Sequence, residues 1–160
     1  MQIPNEILIP EIGKLVRQGH TVTLPLRGYS MRPYLEDNRD MGLLTSPPHT
    51  IRIGDVILAQ TAPKRYALHR VVDIENDIIT MCGDGNLTPE YVEYKDVVAI
   101  AIGFYRKGSK KLSPCDSTLY NIYWRVWVKL KFMRRWLLLM WRMLHYPKDT
   151  TKKIINRLCR

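Results

Sequence analysis

Between residues 21 and 103 the chain breaks into short β-branched runs separated by turn-forming residues, and this texture restricts the fold more than any other feature. The runs fall at 21–26, 41–44, 55–60, 66–74, 78–82 and 97–104. Gly-Asp, Pro-Pro and Asn-Asp steps lie between them, as expected where a chain reverses between strands. A mainly β domain is predicted. Ahead of it, Ile7, Leu8, Ile12, Leu15 and Val16 recur at helical intervals and Gly19 is a plausible terminator. One short helix is expected there, with Pro10 leaving open whether it runs unbroken. A length of 160 residues suffices to bury a core.

Charge divides the chain unevenly. Residues 1–103 hold 10 Lys and Arg against 13 Asp and Glu, a net −3, whereas residues 104–160 hold 15 against 2, a net +13. Such a block calls for an anionic surface, either lipid head groups or nucleic acid. After a polar hinge at 108–114, Leu119, Ile122, Tyr123, Val126, Leu130, Met133, Leu137, Met140, Trp141 and Leu144 trace one apolar stripe on a predicted helix of about 30 residues. Lys131, Arg134, Arg135 and Arg142 fall on the other side of it. All four tryptophans, Trp124, Trp127, Trp136 and Trp141, lie in this segment.

That composition suits a helix lying in the head-group layer, with Trp136, Trp141, Arg134 and Arg135 facing the membrane. Its longest uncharged stretch is far short of the roughly 20 residues needed to span. Packing on the β domain or on a second copy of the tail is the competing expectation, because amphipathic helices more often face a core. Nucleic acid ranks third, since a base-stacking site sets aromatics beside cations and not on a broad apolar face. The expected organisation is a helical segment at 1–20, a β domain at 21–107 and a basic amphipathic tail at 108–160.

Cys82, Cys115 and Cys159 form no Cys-x-x-Cys pair, so reduced thiols are expected, with no disulfide framework and no zinc site. The first residues show neither a positive cluster nor a long apolar run, so no cleaved signal and no N-terminal span are expected. Both observations favour a cytoplasmic protein, peripheral at a membrane.

Two segments carry the chemistry. Gly28-Tyr29-Ser30-Met31-Arg32-Pro33 holds a serine, and Leu68-His69-Arg70-Val71 places a histidine 39 residues later. A serine hydroxyl is a weak nucleophile near neutrality, and an imidazole, with an ordinary pKa of about 6.5, can take its proton. Met31 is suited to anchor the serine from below, and Pro33 fixes the chain direction after it, leaving the Ser30 amide able to face an oxyanion. In a strand His69 shares a side with Ala67 and Val71, and Arg70, on the other side, reads as a surface cation. Asp84 in Gly83-Asp84-Gly85-Asn86 is equally well a turn residue. Tyr29 and Gly28 are candidate cleft residues. His20, His49 and His145 read as structural or solvated, and Asp40 and Asp55 as strand starts.

The ordered set Ser30-Met31-x-Pro33, Arg39-Asp40, Gly54-Asp55-Val56-Ile57-Leu58, His69-Arg70-Val71-Val72 and Gly83-Asp84-Gly85-Asn86 resembles the signal peptidase I and LexA-type superfamily of serine peptidases. The histidine brings it nearest the endoplasmic-reticulum and archaeal signal peptidases, which use Ser-His where others use Ser-Lys. The resemblance, over about residues 20–105, implies that β-fold and a serine endopeptidase cutting a peptide or precursor protein. It implies Ser30 as nucleophile, His69 as general base and Asp84 as the carboxylate on the far imidazole nitrogen. No metal and no organic cofactor are implied. The chain departs from those families at Gly28, where some relatives carry a hydroxyl, and at Arg39, where many have glycine. A catalytically inactive member of the same fold, binding peptide, membrane or DNA, is the alternative; a LexA-like self-cleaving regulator is disfavoured by the lack of both a preceding helix-turn-helix and a lysine.

Overall fold

A computed structural model describes residues 3–145. Among them are an eight-stranded antiparallel sheet and three α-helices. Helix α1 (Asn5–Arg17) runs unbroken through Pro10 and buries Ile9, Ile12, Gly13 and Val16, one face at intervals of three and four. It ends in a Schellman motif: the Gly19 amide donates to Val16 O at 3.0 Å and the His20 amide to Leu15 O at 3.2 Å. Gly19, at φ +87°, supplies the left-handed residue that this closure needs.

The strands are β1 (Val22–Pro25), β2 (Met41–Thr45), β3 (Val56–Ala62), β4 (Arg65–Glu75), β5 (Ile78–Cys82), β6 (Glu90–Glu93), β7 (Val97–Tyr105) and β8 (Leu112–Pro114). Their order across the sheet is β1-β2-β7-β3-β4-β5-β6, with β8 also paired to β7. All six predicted strands form. Strand β6 escapes the pattern because only Val92 is buried on it, and β8 lies in the stretch expected as a hinge.

Alternation along β3 sends Val56 and Leu58 to one core cluster and Ile57 and Ala59 to another, so the sheet is covered on both faces. The first cluster gathers α1, Met31, Leu35, Phe104 and Tyr120; the second is closed by Val71, Ile79, Met81 and Val92.

The single long tail helix is replaced by α2 (Thr118–Lys129), a 3-10 turn (Leu130–Phe132) and α3 (Arg134–His145). A straight helix over 118–145 would run about 42 Å and leave the domain surface. The turn redirects it. On α2, Tyr120, Tyr123 and Trp124 join the first core, and Tyr34 packs edge-on to Tyr120 at 5.3 Å and stacks on Tyr123 at 4.6 Å. The tail is therefore part of the domain's packing, and the stripe read from sequence is split: Tyr123, Leu130, Leu137 and Trp141 are half-buried. Leu119, Ile122, Val126, Met133, Met140 and Leu144 are all exposed. Arg134, expected at the membrane, is buried against the domain, and Trp141 is half-buried near Arg32. Arg135 and Trp136 do face outward.

Candidate active site

Ser30 sits in a turn between β1 and β2, half-buried, with Met31 beneath it in the first core. The Gly83–Asn86 turn is pressed onto this segment. The Gly85 amide donates to Ser30 O at 2.7 Å. A Cβ on Gly83 would lie 2.4 Å from the same oxygen, and one on Gly85 would lie 2.7 Å from Tyr29 O. The two glycines are there for close approach of backbone to backbone. The Gly28 amide donates to Asp37 Oδ1 at 2.7 Å, so it is not free for an oxyanion. The Ser30 amide makes no hydrogen bond among the described residues. Tyr29, a candidate cleft residue, is exposed outside the cavity, its ring 3.9 Å from the Arg32 guanidinium.

A cavity of about 870 Å³ is lined by Gly28, Ser30 and Met31 from that turn, by His69 from β4, and by Asn86 and Glu90. Leu8 and Ile9 of α1 with Leu24, Leu58 and Leu68 of the sheet give it apolar walls. Ser30 and His69 are thus brought to one cleft by strands β1, β2 and β4, although no direct hydrogen bond joins them among the described residues.

His69 Nδ1 lies 2.5 Å from Glu90 Oε2. The carboxylate on the far imidazole nitrogen is therefore Glu90, at the start of β6, and not Asp84. A carboxylate accepts only, so Nδ1 carries a proton, and in the neutral ring Nε2 is then the nitrogen with the lone pair.

Asp84 is committed elsewhere, in a buried bidentate pair with Arg70. Arg70 Nε donates to Oδ1 at 2.9 Å and Nη2 to Oδ2 at 2.8 Å. Arg70 Nη1 reaches Gly54 O and the Tyr120 hydroxyl, both at 2.9 Å. Arg70 is 0% exposed and Asp84 1%, which overturns the reading of Arg70 as a surface cation. Burial alone would lower the Arg70 pKa, but the Asp84 carboxylate raises it above its ordinary value. The Tyr123 hydroxyl donates to Asp84 Oδ2 at 3.0 Å and Trp127 Nε1 to Asp84 O at 3.0 Å. Burial, then the Asp84 charge, pushes the Tyr123 hydroxyl up, so it stays a donor.

From α3, Arg134 Nη1 reaches Cys82 Sγ at 3.5 Å and Asn86 O at 3.4 Å. Burial pushes the Cys82 thiol up against the opposing effect of Arg134. Both helices thus hold the turn that holds Ser30. His20 and His49 are exposed, and no group of His, Cys, Asp and Glu among the described residues could hold a metal ion. Two residues central to this region, Glu90 and Arg70, escaped the sequence reading. Nothing local separates Glu90 from the other surface acids, and a buried arginine is rare enough that exposure is the natural expectation. Compared with known proteins, no family model matches the chain and no curated protein is significantly similar to it.

Proposed function

We propose that the chain is a serine endopeptidase of signal-peptidase-like type that cleaves a peptide or precursor protein. The supporting observation is that Ser30 and His69, remote in sequence, line one cleft with Glu90 fixing the imidazole tautomer. Ser30 Oγ attacks the scissile carbonyl while His69 Nε2 takes its proton; the same nitrogen then returns the proton to the leaving amine, and water activated by His69 breaks the resulting acyl-Ser30 ester and restores the hydroxyl. Glu90 orients the ring and balances the imidazolium. The Ser30 amide contributes to the oxyanion site. Contact between Ser30 and His69 closes when substrate excludes water from the cleft, since hydrogen bonds of this kind are commonly long without substrate.

The lack of a Ser30–His69 hydrogen bond favours a second reading, a non-catalytic peptide-binding member of the same fold. A serine-directed covalent probe with mass-spectrometric site mapping separates the two. The peptidase reading expects adduct on Ser30, loss of it in Ser30→Ala and His69→Ala, and labelling slowed on the order of 10²-fold in Glu90→Gln. Folded protein that never reacts, and that binds peptide unchanged, supports the second reading.

A further inference from the structure

We propose that the outward faces of α2 and α3 form a docking surface for an anionic lipid bilayer. The proposal goes beyond the peptidase reading and stands without it. On α2, Leu119 at 82% exposure lies on the same face as Ile122 and Val126, three and seven residues on. On α3, Trp136 at 69% exposure shares a face with Met140 and Leu144. The side chains turned inward are instead Tyr120, Tyr123 and Trp127 on α2 and Arg134 and Leu138 on α3. On α2 the more aliphatic side is therefore the one left to solvent, the reverse of what packing on a core produces, and on α3 an apolar row stays outside although Leu138 is buried.

Charge identifies the occupant. From residue 117 to residue 145 there is no Asp or Glu, while Arg125, Lys129 and Arg135 are exposed beside the apolar positions. Apolar side chains with cations at their margin match the boundary between acyl chains and anionic head groups. A second copy would set two acid-free cationic surfaces against each other. No helix among the described residues is long and apolar enough to cross a membrane, so the contact lies in the interfacial layer. Because the inner sides of the same helices bond to Asp84 and Asn86, whose turn is pressed onto the Ser30 segment, docking also holds the cleft beside the bilayer.

Flotation of the full chain with vesicles tests this. Mixed phosphatidylglycerol and phosphatidylcholine vesicles are expected to carry the protein, phosphatidylcholine alone much less, and high salt is expected to weaken the binding. The triple variant Ile122→Ser, Trp136→Ser, Met140→Ser is expected to bind at least about tenfold more weakly, because binding scales with buried apolar area. Its circular dichroism and Ser30 labelling without vesicles should match the wild type, since all three side chains are exposed. No partitioning to anionic vesicles overturns the proposal. So does equal binding by the triple variant, a concentration-dependent dimer that the triple variant abolishes without vesicle binding, or capture of DNA or RNA in place of lipid.

Discussion

Replacing Asp84 separates a catalytic carboxylate from a structural one. In Asp84→Ala, Arg70 loses both of its carboxylate bonds while remaining 0% exposed, and Tyr123 loses its acceptor. Removing one member of a buried pair leaves a charge that water cannot reach, at a cost of about 3–5 kcal/mol. Against a total stability of about 5–15 kcal/mol this is a large fraction. For a chain of this size, with about 2–4 °C lost per kcal/mol, the melting temperature should fall by about 6–20 °C. Arg70→Met combined with Asp84→Leu removes both charges and should recover part of the loss. Recovery stays incomplete because Gly54 O and the Tyr120 hydroxyl lose their Arg70 partner. Glu90→Gln, at a half-exposed site, should shift the melting temperature little while slowing Ser30 labelling. The assay is differential scanning fluorimetry with urea unfolding, run beside the probe kinetics. An Asp84→Ala protein that melts with the wild type but labels slowly would refute the reasoning and return Asp84 to the imidazole.

Gly83→Ala places a methyl group 2.4 Å from Ser30 O, a backbone atom with no rotamer to yield; a cost of about 1–3 kcal/mol is expected from such overpacking. Ser30 labelling should fall with it, and unaltered melting and labelling would dismiss the clamp. Asp40 is buried and accepts from Arg39 at 2.7 and 2.9 Å and from the Glu36 and Lys107 amides at 2.9 and 2.8 Å. Burial pushes its pKa up, but these hydrogen bonds outweigh it and hold the carboxyl below its ordinary value. Its contribution is therefore complete above the unfolded-state value near 3.8 and is lost as pH falls through the lower folded-state value. Unfolding by urea from about pH 6 down to about pH 2 should show wild-type stability declining at the acid end, with a shallower decline in Asp40→Asn; identical slopes would exclude Asp40 as the cause.

The strands were legible because a short apolar run bounded by turn residues is a local signal, and Val56 to Ala59 is such a run before any partner is known. The Gly19 stop was legible for the same reason, since a Schellman closure involves only neighbours in sequence. Ser30 and His69 were nominated by residue type and motif order, and the sheet brings both to one cleft. The partners of His69 and Asp84 were not legible. They are decided by how β4 meets β5 and β6 and by where α2 lands, over separations of 14 to 43 residues at which many pairings satisfy the same local pattern. The acid in the attractive Gly-Asp-Gly setting went to a buried arginine, and an ordinary glutamate took the imidazole.

The tail makes the same division plain. Periodicity determined that most of 118–145 is helical with two unlike sides, because 3.6 residues per turn is a property of the backbone alone, but not the 3-10 turn at Leu130–Phe132. Which side turns inward was settled only by the tertiary structure. Tyr120, Tyr123 and Trp127 combine large rings with polar tips that reach Arg70 and Asp84, so burying them covers area and satisfies a buried ion pair together. Leu119, Ile122 and Val126, with no polar atoms to offer that pair, were left facing out.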